Sequence, residues 1–402
     1  MLHILLSALS FTLIQPATEK QPAPAVTPAA ERAKATAASG LPMPAELVDQ
    51  ERLVGTLRSL PTKRAARGDQ AHRDGLVQTQ DILVAQLKAL GYEPKLDEID
   101  AIGIRHDPAK PLYNIWVEIP GRGGIAPTKN KAGASKPSKD PKTENHPDAG
   151  AAVTPGSTNE PLPKCPSTLI VGAHFDAVPN SPGADDDGTG VAAIMEMARL
   201  LKDRPMRETV RLCLFNLEEV GLVGATVHAQ HVKEQILDGT KCGVMGMIAM
   251  DMLGFYSTEP NSQKSPIPEM EGFKPPEVAD FIGMATVFRH RKFSQSLAKA
   301  MRATSPGLKV VVVDFLPVAI PDILRSDHAP FLALGIPAVI VSDTAEFRSK
   351  HYHKPTDTIE TLDLVRFTQT VKGLVGAVHE LAGPVDESPA TSKPSTAKPV
   401  TK

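Results

Sequence analysis

Read for the spacing of its apolar side chains, the sequence alternates compact hydrophobic runs with stretches of helical period. Thr168 to Ala173 (TLIVGA), Thr209 to Leu217, Val244 to Met250, Lys309 to Phe315 and Pro337 to Val341 are short and dense, as expected of strands buried on both faces. Tyr113 to Ile119 alternates apolar and polar positions and predicts a further strand. Between Asp74 and Leu90, Leu76, Leu83, Leu87 and Leu90 share one helical face, and Gly91 ends the helix. Helices also fit Gly190 to Lys202, Gly221 to Val232, Phe293 to Thr304 and Leu364 to Leu381. Strands alternating with helices in this way predict an α/β sheet, in which ligands bind at the carboxyl ends of strands.

Other stretches carry no such pattern. Residues 1–18 open with the apolar run MLHILLSALSFTLI, too short to span a bilayer comfortably, and are expected to be a signal peptide that exports the chain. A Pro/Ala-rich linker is expected over 19–44, a disordered insertion over 122–166 and a disordered tail over 384–402, each poor in large apolar residues. What remains within 45–383 is expected to be one domain. A net charge of -2 gives no bias toward nucleic acid, and no stable membrane span is expected once the leader is removed. Three cysteines, Cys165, Cys213 and Cys242, exclude a disulfide framework and allow one bridge at most; Cys213, inside an apolar run, reads as a core residue.

Acidic and imidazole groups gather where the strands end. TLIVGA is followed by His174-Phe175-Asp176, so an extended chain points His174 and Asp176 to one side, one to hold a metal and the other to orient it. Asp185, Asp186 and Asp187 then stand together in a glycine-bounded turn that opens a helix. Capping the helix needs one such group; three neighbouring negative charges call for a cation. Glu218 and Glu219 end the next strand and are expected to diverge to opposite faces, one as ligand and one as general base. Asp251 gives another acidic strand end, and His328 and His353 complete the imidazole set that suits zinc.

Taken in order, the motifs GAHFD, GADDDGTG, NLEEVGLVG, AMDMLG, RSDHAPF and YHKPTDT resemble those of the M28 family of zinc aminopeptidases, a resemblance running from about Leu53 to Ala382 apart from the insertion. It implies a single three-layer α/β/α domain with a mixed, mostly parallel central sheet and two Zn²⁺ per chain. His174 and Asp251 would bind one ion, Glu219 and His353 the other, and Asp186 would bridge them, with Glu218 as general base. Asp176 matches the carboxylate behind His174, and Asp187 follows the bridging residue at a peptide bond that is often cis in the family. Two dications exceed the three carboxylates by one positive charge, which a hydroxide would neutralise. The substrate implied is a peptide with a free amino terminus.

One departure stands out. Some relatives stabilise the oxyanion with a tyrosine a few residues before the Ser-Asp-His motif, and residues 321–326 (PDILRS) contain none. Arg325 or His328 is expected to donate to the oxyanion or to bind a substrate carboxylate, and Asp327 and His328 match a motif that lines the site. Three other readings share the fold: a one-zinc glutaminyl cyclase, which the retained His174 disfavours; a carboxypeptidase, which usually carries extra domains; and a silent binding module, which would have lost ligands.

Overall fold

Eight strands form one sheet in the computed structural model, which describes residues 42–100, 109–123, 165–239, 242–315 and 321–385. They are β1 (Lys95–Glu98), β2 (Tyr113–Ile119), β3 (Thr168–His174), β4 (Thr209–Phe215), β5 (Val244–Met250), β6 (Ile282–Ala285), β7 (Val310–Val313) and β8 (Ala338–Ser342), in the spatial order β1-β2-β4-β3-β5-β8-β6-β7. Strands β4, β3, β5 and β8 make a parallel centre, and β2 and β6 run antiparallel on its two flanks. The expected leader, nearly all of the linker and of the insertion, and the tail beyond 385 lie outside the described residues.

Seven helices cover the sheet among the described residues: α1 (Gln50–Ser59), α2 (Gln70–Ala89), α3 (Gly188–Leu201), α4 (Val223–Val232), α5 (Arg291–Thr304), α6 (His328–Ala333) and α7 (Leu364–Ala382). Alternation along the buried strands sends successive side chains into two cores. Leu169, Val171, Leu212, Leu214, Ile248 and Met250 face the larger, shared with α1, α2, α3, α5 and α7. Ile170, Cys213, Phe215, Met247 and Ala249 face the smaller, under Ala225 and Ala229 of α4 and Phe331 of α6. Cys213 is thus a core residue, and Cys165 and Cys242 form a disulfide that joins the entries of β3 and β5.

Most expected elements hold to within a few residues, and the differences have local causes. Helix α2 begins at Gln70 rather than Asp74 because Asp69 caps it, accepting the His72 N–H at 3.0 Å. Strand β4 stops at Phe215, short of Leu217, whose φ of 63° turns the chain out of the sheet. The short strands β1 and β6 and the six-residue α6 had no periodic signal long enough to announce them, whereas α1, with Leu53, Val54 and Leu57 on one buried face, carried one that the sequence reading passed over.

The topology fixes where a site belongs. From β3 the chain crosses to β4 on one flank, then returns past β3 to β5 on the other. The carboxyl ends of β4, β3 and β5 therefore border the crevice left where the strand order reverses.

Candidate metal centre

His174 is the last residue of β3 and is 1% exposed. Its Nδ1 donates to the backbone carbonyl of Asp176 at 3.1 Å, which fixes the tautomer and leaves Nε2 with a free lone pair toward the crevice. The acidic triplet that follows divides its work. Asp187 caps α3, with Oδ1 accepting the Gly190 N–H at 3.0 Å and Oδ2 accepting the His174 N–H at 3.2 Å. A side chain at Gly190 would collide with that carboxylate and with the Met250 carbonyl, so glycine is what lets the helix start here. Asp185 accepts the Gly254 N–H at 2.8 Å and the Thr189 hydroxyl at 3.1 Å. Asp186 is left to face the crevice, and its bond to Asp187 is cis, as the motif resemblance implied.

Both oxygens of Asp186 meet an imidazole. Oδ1 lies 3.3 Å from Nε2 of His174, and Oδ2 lies 3.1 Å from Nε2 of His353. Glu218 and Glu219 part to opposite sides of this carboxylate: Glu218 groups with His174 and Asp251, and Glu219 with Asp186 and His353. The turn after Leu217, rather than strand pleating, separates them. Asp176 holds that turn, accepting the Glu218 N–H at 3.0 Å and the Glu219 N–H at 3.2 Å. Its carboxylate is 3.7 Å from Nδ1 of His174, so it serves the glutamate turn more closely than the histidine.

Burial pushes Glu218, Glu219 and Asp251 above the usual carboxylate range, Glu219 to about 7 and Asp251 to about 6; His174 opposes each shift, and neighbouring carboxylates add to it. Asp186 goes the other way: hydrogen bonds with His174 and His353 outweigh its burial and hold it low. His353 rises to about 10 despite desolvation, through Asp186 and Glu219. A pocket this acidic attracts cations.

The donor set fits zinc. Imidazole nitrogens and carboxylate oxygens are its usual ligands, and ligands about 2.0–2.1 Å from a tetrahedral ion stand roughly 3.3 Å apart. The separations here are 3.3 Å for His174–Asp186, 3.1 Å for His353–Asp186, 3.3 Å for His353–Glu219 and 4.0 Å for His174–Asp251. Oε1 of Glu219 is buried without a hydrogen-bond partner, as suits an oxygen awaiting a ligand role.

The remaining expected residues are placed differently. His328 is fully enclosed, with burial lowering its pKa to about 4, so no substrate reaches its ring. Asp327 is also buried and is pushed up to about 8 by desolvation, with His174 opposing and Asp251 adding to the shift. Arg325 pairs with Glu346 and donates through Nη2 to the Tyr352 hydroxyl at 3.1 Å. Beside Asp251, Arg325 and Tyr352 opens a pocket of about 160 Å³, walled by Ile267, Phe273, Phe281, Val311, Ile323 and Ile340 among others.

Three supporting residues escaped sequence reasoning. Asp357 accepts the N–H groups of Asp185 at 2.9 Å and Asp186 at 3.2 Å; it stands in the YHKPTDT motif, so its signal was present. Tyr352 stacks on His353 with centroids 3.8 Å apart, and adjacency to that histidine was its signal. Arg64, 2% exposed, donates to the carbonyls of Phe175, Pro61, Pro182 and Gly183; it lies in an irregular segment that carries no pattern.

The family model for peptidase family M28 matches residues 152–377. The chain belongs to peptidase family M28. It is 32% identical over 224 residues to the uncharacterized protein YfbL of Escherichia coli, covering 52% of this chain and 66% of that one. It is 29% identical over 233 residues to aminopeptidase YwaD of Bacillus subtilis, covering 57% of this chain and 44% of that one. The chain thus spans less than two thirds of the length of these relatives. Among solved structures it resembles the LapA aminopeptidase of Legionella pneumophila (TM-score 0.58, 19% identity, 91% of this chain and 78% of that one). It also resembles BSAP, a zinc aminopeptidase from Bacillus subtilis (0.52, 16%, 83% and 95%), and the Porphyromonas gingivalis glutaminyl cyclase (0.51, 16%, 84% and 99%). At these identities the structural likenesses speak for the M28 fold alone.

Proposed function

We propose that this M28 chain is a two-zinc aminopeptidase that removes the first residue of peptides with a free amino terminus. The observation that carries the reading is Asp186, one carboxylate aimed at two imidazoles, with a glutamate on each side. His174 and Asp251 would hold one ion, His353 and Glu219 the other, and Asp186 would join them. Zinc, when bound, supplies Lewis acidity that polarises a carbonyl oxygen and makes water nucleophilic at neutral pH. Glu218, its pKa lifted by burial, is suited to take a proton from the attacking water and return it to the leaving amine. The relatives and structures named as aminopeptidases support this choice, and the intact His174 favours it over a one-metal cyclase. The apolar pocket beside Asp251 suits an aliphatic or aromatic first side chain.

We also propose that the chain acts outside the cytoplasm. The apolar leader over 1–18 and the Cys165–Cys242 disulfide both support export to an oxidising compartment. No helix among the described residues is long and apolar enough to cross a membrane.

The test compares aminoacyl anilides with their N-acetylated counterparts as substrates for the zinc-loaded chain. The reading predicts cleavage of the free-amine series, fastest for leucine and phenylalanine. Equal cleavage of the acetylated series, or cyclisation of an N-terminal glutamine instead of hydrolysis, contradicts it.

A further inference from the structure

Residues 281–313 hold six Lys or Arg and no Asp or Glu, in a chain whose net charge is -2. Five of the six, Arg289, Arg291, Lys292, Lys299 and Arg302, are exposed on α5 or just before it, and none forms an ion pair among the described residues. The sixth, Lys309, pairs with Asp280, and the acid that follows the segment, Asp314, is buried as an acceptor for the Ser294 hydroxyl. We propose that this face of α5 is a docking surface for a membrane bearing anionic phospholipids. The inference stands apart from the reading of the metal centre.

Helical geometry makes these charges one surface. Ser294, Leu297, Ala298 and Met301 are buried and mark the inward stripe of α5. Arg291, Lys292, Lys299 and Arg302 then fall within about 100° of one another on the outer side, along roughly 16 Å of the axis. Like charges held this close repel, and an anionic partner relieves the repulsion. Phe288 decides between lipid and a dissolved polyanion. It is 45% exposed beside the cationic row, with the Arg291 guanidinium over its ring at 4.5 Å. An aromatic ring backed by cations fits the boundary between lipid headgroups and acyl chains, where a dissolved polyanion offers it nothing apolar. The apolar stripe of α5 is already packed in the core, so the helix docks through its charges without leaving its place. The orientation is also favourable. Strand β6 runs antiparallel to β8, so its carboxyl end points away from the crevice, and Phe288 follows Ala285 by three residues. A bilayer engaged there leaves the crevice open to solvent.

Flotation of the full-length chain with vesicles of phosphatidylcholine, alone or with about one third phosphatidylglycerol, tests this. The readout is the ratio of the two partition coefficients, in which any contact indifferent to lipid charge cancels. We expect the ratio to exceed about 10² at low salt and to approach 1 in about 0.5 M NaCl. Lys292→Gln/Lys299→Gln should lower it at least about tenfold, since each cation at the surface is worth about fivefold. Phe288→Ser, which changes no charge, should weaken partitioning into the anionic vesicles about threefold. Lys88→Gln/Lys110→Gln removes two exposed cations elsewhere and should leave the ratio within about twofold of wild type. The proposal is overturned by a ratio near 1 at low salt, by a Lys292→Gln/Lys299→Gln ratio equal to wild type, or by an equal fall in the control pair. Inorganic polyphosphate bound as tightly as the vesicles, with Phe288→Ser without effect on either, would make the face a polyanion surface and overturn it as well.

Discussion

Oδ1 of Asp176 accepts the backbone N–H of Glu218 at 3.0 Å. With Oδ2 on the Glu219 N–H, this one buried carboxylate sets where both glutamates stand after Leu217 has turned the chain out of β4. Asp176→Asn presents an amide NH₂ to one of those N–H groups and breaks the clamp. We expect kcat to fall about 10- to 100-fold with weaker zinc binding, as for other residues that orient metal ligands. Steady-state kinetics and zinc titration check this; a variant with wild-type kcat and zinc affinity would show that the clamp is dispensable.

Much of the site was legible because its proposed ligands sit where buried strands end, a position set by hydrophobic pattern alone. His174 and Asp251 follow dense apolar runs, and both emerge at the crevice. Less legible was how the Asp185–Asp187 triplet divides between propping, facing the crevice and capping, since that depends on backbone donors such as Gly254 from distant parts of the chain. Arg325 and His328 misled for a related reason. Sequence order places them beside the site, but Glu346 engages the first and packing encloses the second.

His379 of α7 gives a pH dependence with a definite sign. Burial, assisted by the charge of Arg204, lowers its pKa to about 4 from the ordinary 6.5. The unfolded chain therefore binds a proton first as pH falls, so the stability His379 permits is present above about pH 6.5 and lost by pH 4. The loss amounts to up to about 3 kcal/mol. His379→Leu should flatten the fall in urea midpoint between pH 7 and 4.5; an unchanged slope would rule this histidine out as a source of acid lability.

The Cys165–Cys242 bridge closes a sequence separation of 77 residues across the entries of two neighbouring parallel strands. Loop-closure entropy for a cross-link of this span corresponds to about 4.5 kcal/mol. Cys165→Ser/Cys242→Ser should lower the urea midpoint accordingly, while kcat per folded molecule stays at the wild-type value because the crevice lies at the opposite ends of those strands. Equal midpoints with and without the bridge, or a loss of kcat in the folded double variant, would contradict this placement.

The most direct test of the central claim is to count zinc by native mass spectrometry and measure turnover on the same sample of Glu218→Gln. If Glu218 moves protons while His174, Asp186, Glu219, Asp251 and His353 hold the metal, the variant keeps two zinc ions and loses at least about 10²-fold in kcat. Turnover within a few-fold of wild type, or the loss of zinc together with activity, would show that Glu218 is not the base and that the site is built differently.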